Sequence, residues 1–197
     1  MTFELDAAAR ERILDFVRPL SVGIDGVTNF GFVERRLRIA KNLLEEMRRG
    51  DGAAEVDDRL FLITAFAGLP AARRISPDSR EDLLLRSLRI PFEEIQILVS
   101  SLNRYEAGPQ SPEEKLVHDA MLLESVGAYG VTQLLLAGAR ERMTPAEMAG
   151  EIAEKMSAVR FATEAGGRLA ADRIAFATLF ARRLAEEARE FEAVTPR

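Results

Sequence analysis

The 197-residue chain has no cysteine and no tryptophan, one histidine and two tyrosines. Without cysteine there can be no disulfide, thiol nucleophile or zinc–thiolate site, and a reducing cytoplasm is the natural setting. The lone histidine, His118, leaves only Ser or Thr to complete a histidine-based triad, and no G-x-S-x-G turn is present. The glycines form neither a phosphate loop nor a dinucleotide fingerprint. A histidine–carboxylate metal centre ordinarily draws two or more imidazoles. Basic charge is also short. Lys and Arg number 27 against 32 Asp and Glu, giving a net charge of −5 and no support for a nucleic-acid surface. The pairs Arg35-Arg36, Arg48-Arg49, Arg73-Arg74 and Arg182-Arg183 mostly have acidic neighbours and read as solvated helix faces. No apolar run approaches bilayer length. The acidic start MTFELDAAARER does not read as a secretory signal. The expectation is a cytoplasmic protein with neither nucleic acid nor membrane as partner.

Hydrophobic residues make up 47% and charged residues 30%, enough for a soluble domain with a sizeable core. The periodicity is helical throughout. Leu5 to Leu20 reads as a first helix, with Ile13 and Val17 inward. A glycine-rich loop follows. Asn29 to Arg49 carries the stripe Val33, Leu37, Ala40, Leu44 and Met47, and Gly50-Asp51-Gly52 ends it. Ala54 to Gly68 contains LFLITAFAGLP, almost wholly apolar, so a helix buried on most sides is expected. Ser76 or Ser79 starts a short helix to about Leu88, and Phe92 to Tyr105 reads as another. Thr144-Pro145-x-Glu147 is a capping box opening a helix to about Val159. The last helix runs from about Thr163 to Phe191, with Leu169, Phe176, Phe180, Leu184 and Phe191 as its expected buried stripe. No alternating strand pattern, repeat or linker stands out. The expected architecture is all-α: a single domain over residues 1–197, with seven or eight helices and a frayed tail at 193–197.

The central stretch is SPEEKLVHDAMLLESVGAYGVTQLLLAG, Ser111 to Gly138. Ser111 and Glu114 form a second capping box, and Pro112 suits the first helical position. Apolar or small residues recur at 116, 120, 123, 127, 131 and 134. Glu113 and Glu114 read as capping and solvated groups favoured by the helix dipole. Asp119 lies in the most apolar part, where a carboxylate needs a partner. His118 points about 100° away from it on a helix. The two cannot readily hold one ion together, and His118 reads as a half-exposed helix residue.

The segment EEKLVHDAMLLESVGAYGV resembles the late motif of bacterial HD-domain phosphohydrolases. Glu114-Lys115, Asp119-Ala120 and Gly127-Ala128-x-Gly130 carry the likeness. Glu154-Lys155, Thr163, Gly167-Arg168, Leu169-Ala170, Arg173 and Phe180 resemble the closing helices. Phe32-Val33-Glu34-Arg35 with Ala40 resembles the opening His-x-x-Arg helix. The resemblance spans residues 28–192 and implies an all-helical fold and a divalent metal centre. It also implies that most ligands are lost. Phe32 falls where the first histidine belongs, and Ala65-Phe66 fall where the His-Asp pair belongs. Asp119 alone is kept. Asn103 and Arg104 lie nearest to where further histidines would stand, and Met121-Leu122 replace the polar pair after the late Asp-Ala. The His118-Asp119 sequence sits in the wrong motif to be the His-Asp pair.

Phe and Ala offer a cation no lone pair, and one carboxylate holds a divalent ion weakly. The resemblance thus implies a degenerate site of Phe32, Ala65, Phe66 and Asp119, with Asn103, Arg104 and His118 at its rim. No catalytic residue and no cofactor are expected. The expected role is binding a small molecule or a protein partner, including a second copy of the chain as a homo-oligomer. Two alternatives stand beside it. One is a metal-dependent phosphohydrolase acting on a nucleotide or other phosphate ester through atypical ligands. The other is a metal-free enzyme using Asp119 as general acid or base in a dry pocket.

Overall fold

The structure, a computed structural model, describes residues 3–20, 30–48, 57–69 and 75–194. The expected glycine-rich loop after Leu20, the Gly50-Asp51-Gly52 stop and the start at Ala54 lie outside the described residues, as do Pro70 and the side chain of Phe191. All nine regular elements among the described residues are α-helices. The chain forms two compact units, Met1–Ala120 and Met121–Arg197.

The first unit contains α1 (Ala7–Leu20), α2 (Phe30–Arg48), α3 (Asp57–Phe66), α4 (Arg80–Ser87) and α5 (Phe92–Arg104), and α6 (Pro112–Ser125) begins in it. The apolar run at 60–67 explains its centre. Every residue from Leu60 to Ala67 is buried, whereas Arg59 in the first turn of α3 is exposed. It packs against α1, α2 and α5. Ile13 and Val17 of α1 and Val33, Ala40, Leu43 and Leu44 of α2 are buried, as the periodicity predicts. Met47 is exposed and Leu37 only half-buried, so the buried side of α2 runs through Leu43, which widens the expected stripe, and Leu44. One carboxylate fixes the entry to α1. Asp58 accepts from the Leu5 backbone N–H at 2.9 Å and from Arg10 Nη2 at 2.6 Å. Ser79, rather than Ser76, caps α4 by accepting from the Asp82 N–H.

The second unit contains α7 (Gly127–Arg140), α8 (Pro145–Ala158) and α9 (Glu164–Val194). The central stretch is two helices rather than one, which brings the helices among the described residues to nine against the expected seven or eight. The chain breaks at Val126, and Gly127 takes φ +77°. A side chain there would need the disfavoured left-handed region and would press on Arg173. A Cβ at Gly130 would stand 2.0 Å from the Ser125 carbonyl oxygen, so only glycine permits this close turn. Arg173 Nη1 donates to the Leu123 carbonyl at 2.8 Å, satisfying an acceptor near the end of α6. The capping box at α8 forms as the sequence predicts, with Glu147 N–H donating to Thr144 Oγ1 and Thr144 N–H to Glu147 Oε2.

The stripe of α9 corrects the sequence reading. Leu169 and Phe176 are exposed, at 41% and 46%, and Phe180 is half-buried. The buried seam is Ala165, Ala170, Ala177, Ala181 and Ala188. Both rows recur at helical spacing, but small residues let α9 approach α7 and α8 closely. Residues 193–194 belong to α9 rather than to a frayed tail, and 195–197 lie outside the described residues. Among the described residues no single helix is long and apolar enough to cross a membrane.

Candidate functional site

Ala65 and Phe66 stand on the last turn of α3, and neither exposes any surface. The Phe66 ring packs against Phe16 of α1, with centroids 6.5 Å apart and planes tilted by 38°. Asp119, on α6, is equally buried. Phe32 stands on α2, and its side chain lies outside the described residues.

Polar groups close the end of α3. Gly68 takes φ +79° and turns the chain out of the helix. Arg36, buried on α2, donates from Nη1 to the Ala67 carbonyl. Tyr105, which follows α5, accepts from the Gly68 N–H at 3.1 Å and donates to Glu106 Oε1 at 2.9 Å. Burial pushes the Tyr105 phenol up to about 12, and the Glu106 carboxylate pushes the same way against Gly68 and Arg36. The Tyr105 carbonyl lies 2.9 Å from His118 Nδ1. A carbonyl can only accept, so Nδ1 carries the proton. His118 is half-buried, as the sequence predicts, and acts as a strut between α6 and the end of α5.

Of the other expected rim residues, Asn103 is exposed. Arg104 pairs with the buried Glu114 at 2.6 Å while its own side chain stays 41% exposed. Glu114 caps α6 as the sequence predicts, but it is not the solvated group expected. Its side chain is fully buried. It accepts from Ser101 Oγ at 2.8 Å, Arg104 Nη2 at 2.6 Å and the Gln110 N–H at 2.7 Å. The capping-box bond from Ser111 N–H is present as well, at 3.4 Å. Burial works to raise this carboxyl, but the Arg104 guanidinium and the surrounding donors outweigh it and hold it at about 2. The available signal was Ser101 and Arg104, three apart on one face of α5.

Among the described residues, no group of three or more His, Asp or Glu side chains is arranged to hold a metal ion. An open groove of about 410 Å³ lies in the same unit, between α1, α2 and α3. Leu37, Ala40, Leu60, Phe61 and Thr64 line it. Thr64 Oγ1 donates to the Leu60 carbonyl at 2.6 Å, so the polar group of that wall is satisfied within α3.

These features belong to an all-helical fold found in bacterial proteins of known structure. Bacillus subtilis YpgQ, in its complex with ADP, is 17% identical at a TM-score of 0.64, over 91% of this chain and 95% of that one. A protein from Lactobacillus plantarum is 14% identical at a TM-score of 0.70, over 95% of this chain and all of that one. At such identities the likeness establishes the fold. No family model matches the chain, and no curated protein matches it significantly.

Proposed function

We propose that this protein is a degenerate HD-like helical domain that binds a small molecule without hydrolysing it. The burial of Ala65 and Phe66 at the end of α3 carries this reading. The resemblance would put two metal ligands there, and the side chains present have no lone pair to give. They do not fit a divalent ion. Asp119 alone cannot supply the several oxygen or nitrogen ligands such an ion requires. The clamp of Arg36 and Tyr105 on Ala67 and Gly68 supports a structural role for this end of α3.

The ADP held by YpgQ supports a nucleotide as the ligand. It is equally compatible with the second reading, a phosphohydrolase using atypical ligands. One assay separates them. ADP is titrated into the protein by calorimetry, and phosphate release is followed with Mn²⁺ and with chelator. Binding heat without phosphate release is expected. Release that stops in chelator would overturn the reading in favour of metal-dependent hydrolysis. Release that survives chelator and is lost in Asp119→Asn would instead make Asp119 a catalytic acid or base.

A further inference from the structure

We infer that the groove between α1, α2 and α3 is a site for a phosphate ester with an apolar body. The inference rests on the binding-domain reading and adds where the ligand sits and what it must carry. The chain is acidic overall, with a net charge of −5. The groove reverses that sign. Arg10, Arg38 and Lys41 line it, and among the described residues none that lines it is acidic.

The three cations are not equivalent. Arg10 is held in place, paired to Asp58 at 2.6 Å and lying over the Phe61 ring at 5.0 Å. Its guanidinium has five donors, and the Asp58 pair engages only Nη2. A pre-positioned guanidinium recognises a phosphate oxygen with little loss of entropy. Arg38 and Lys41 are exposed and three apart on α2, hence neighbours on one face. Neither makes an ion pair among the described residues, whereas Arg59, Arg86 and Arg104 of the same unit each do. Like charges at this spacing disfavour one another, and a bound anion reverses that cost.

The apolar wall sets the other half of the ligand. The side chains of Leu37, Ala40, Leu60 and Phe61 carry no donor or acceptor, so the wall suits an apolar chain or the flat face of a ring such as a purine, with its polar edge left in water. A volume of about 410 Å³ is in the range of small-molecule sites, roughly 300–1,000 Å³. The slot beside Arg59 and Glu94 holds only about 10 Å³, and that ion pair lines it.

The test is calorimetric titration of the full chain with ADP, inorganic pyrophosphate and adenosine, repeated on Arg38→Glu and Lys41→Glu. Both positions are exposed, so the variants should fold, which circular dichroism checks. ADP should bind more tightly than either pyrophosphate or adenosine, because each lacks one half of the ligand. Each reversal should weaken ADP by about tenfold, the worth of one charge-assisted contact. Pyrophosphate as tight as ADP would reject the apolar half. ADP affinity unchanged in both variants would reject the groove and leave the binding-domain reading standing. Failure of wild-type protein to bind ADP or pyrophosphate would also reject the inference. Phosphate release from ADP would sink the binding-domain reading, while weakening by the reversals would still place the ligand in the groove.

Discussion

Glu114 ties the loop after α5 to the first turn of α6 through one buried carboxylate. Replacing it by alanine leaves Ser101, Arg104 and two backbone N–H groups to find new partners. Arg104 and the exposed Gln110 can turn to water, but the buried Ser101 hydroxyl cannot easily do so. A loss of about 2–3 kcal/mol follows, measurable by urea unfolding. An unchanged urea midpoint would contradict that role. The pH dependence has a definite sign. The folded carboxyl sits at about 2 against 4.5 for the free group, so its stabilisation is full above 4.5 and fades as pH falls toward 2. Glu114→Ala should lack that part of the acid profile.

Tyr105 makes the opposite case. Its phenol is held up at about 12 from an ordinary 10.0, so its stabilisation is complete below 10 and is lost as pH rises through 12. Tyr105→Phe removes the acceptor of the Gly68 N–H and should cost about 1–2 kcal/mol. Its alkaline unfolding should begin at higher pH relative to its own neutral stability. A variant as stable as wild type would mean the Gly68 N–H finds another acceptor.

Among the elements, α9 shows how a helix can be read correctly and its face wrongly. Leu169, Phe176 and Phe180 recur at the same spacing as Ala170, Ala177 and Ala181, and ordinary hydrophobicity favours the larger set. Close helix contact favours the smaller one. Phe176→Gln should therefore change stability by no more than about 0.5 kcal/mol, as for other exposed positions. Ala177→Leu should cost about 1–3 kcal/mol by overpacking the seam. Equal effects in thermal unfolding would contradict this assignment of faces. The break at Val126 had a visible sign in Gly127 and Gly130, but glycines inside an apolar periodic run also occur in unbroken helices. What decides the matter is the approach of Arg173, 46 residues beyond Gly127, which periodicity does not register.

For the whole molecule, the all-helical class was legible because every segment repeats at three or four residues and none alternates. Both capping boxes were legible too, since they are local. The candidate site was legible only in part. The sequence names Ala65, Phe66 and Asp119, and all three prove buried. It could not say that Arg104 and His118 face internal partners, because those partners, Glu114 and the Tyr105 carbonyl, come from other segments. Nor did it mark the groove, whose cations come from α1 and α2 and read singly as surface charge.

The central claim is that the apolar end of α3 leaves no centre for a divalent ion. Elemental mass spectrometry of protein purified without an affinity tag tests it, with Asp119→Ala alongside. The account predicts far less than one Mn, Fe, Zn or Ni per chain and no difference between the two proteins. One metal ion per wild-type chain, absent from a folded Asp119→Ala variant, would contradict it.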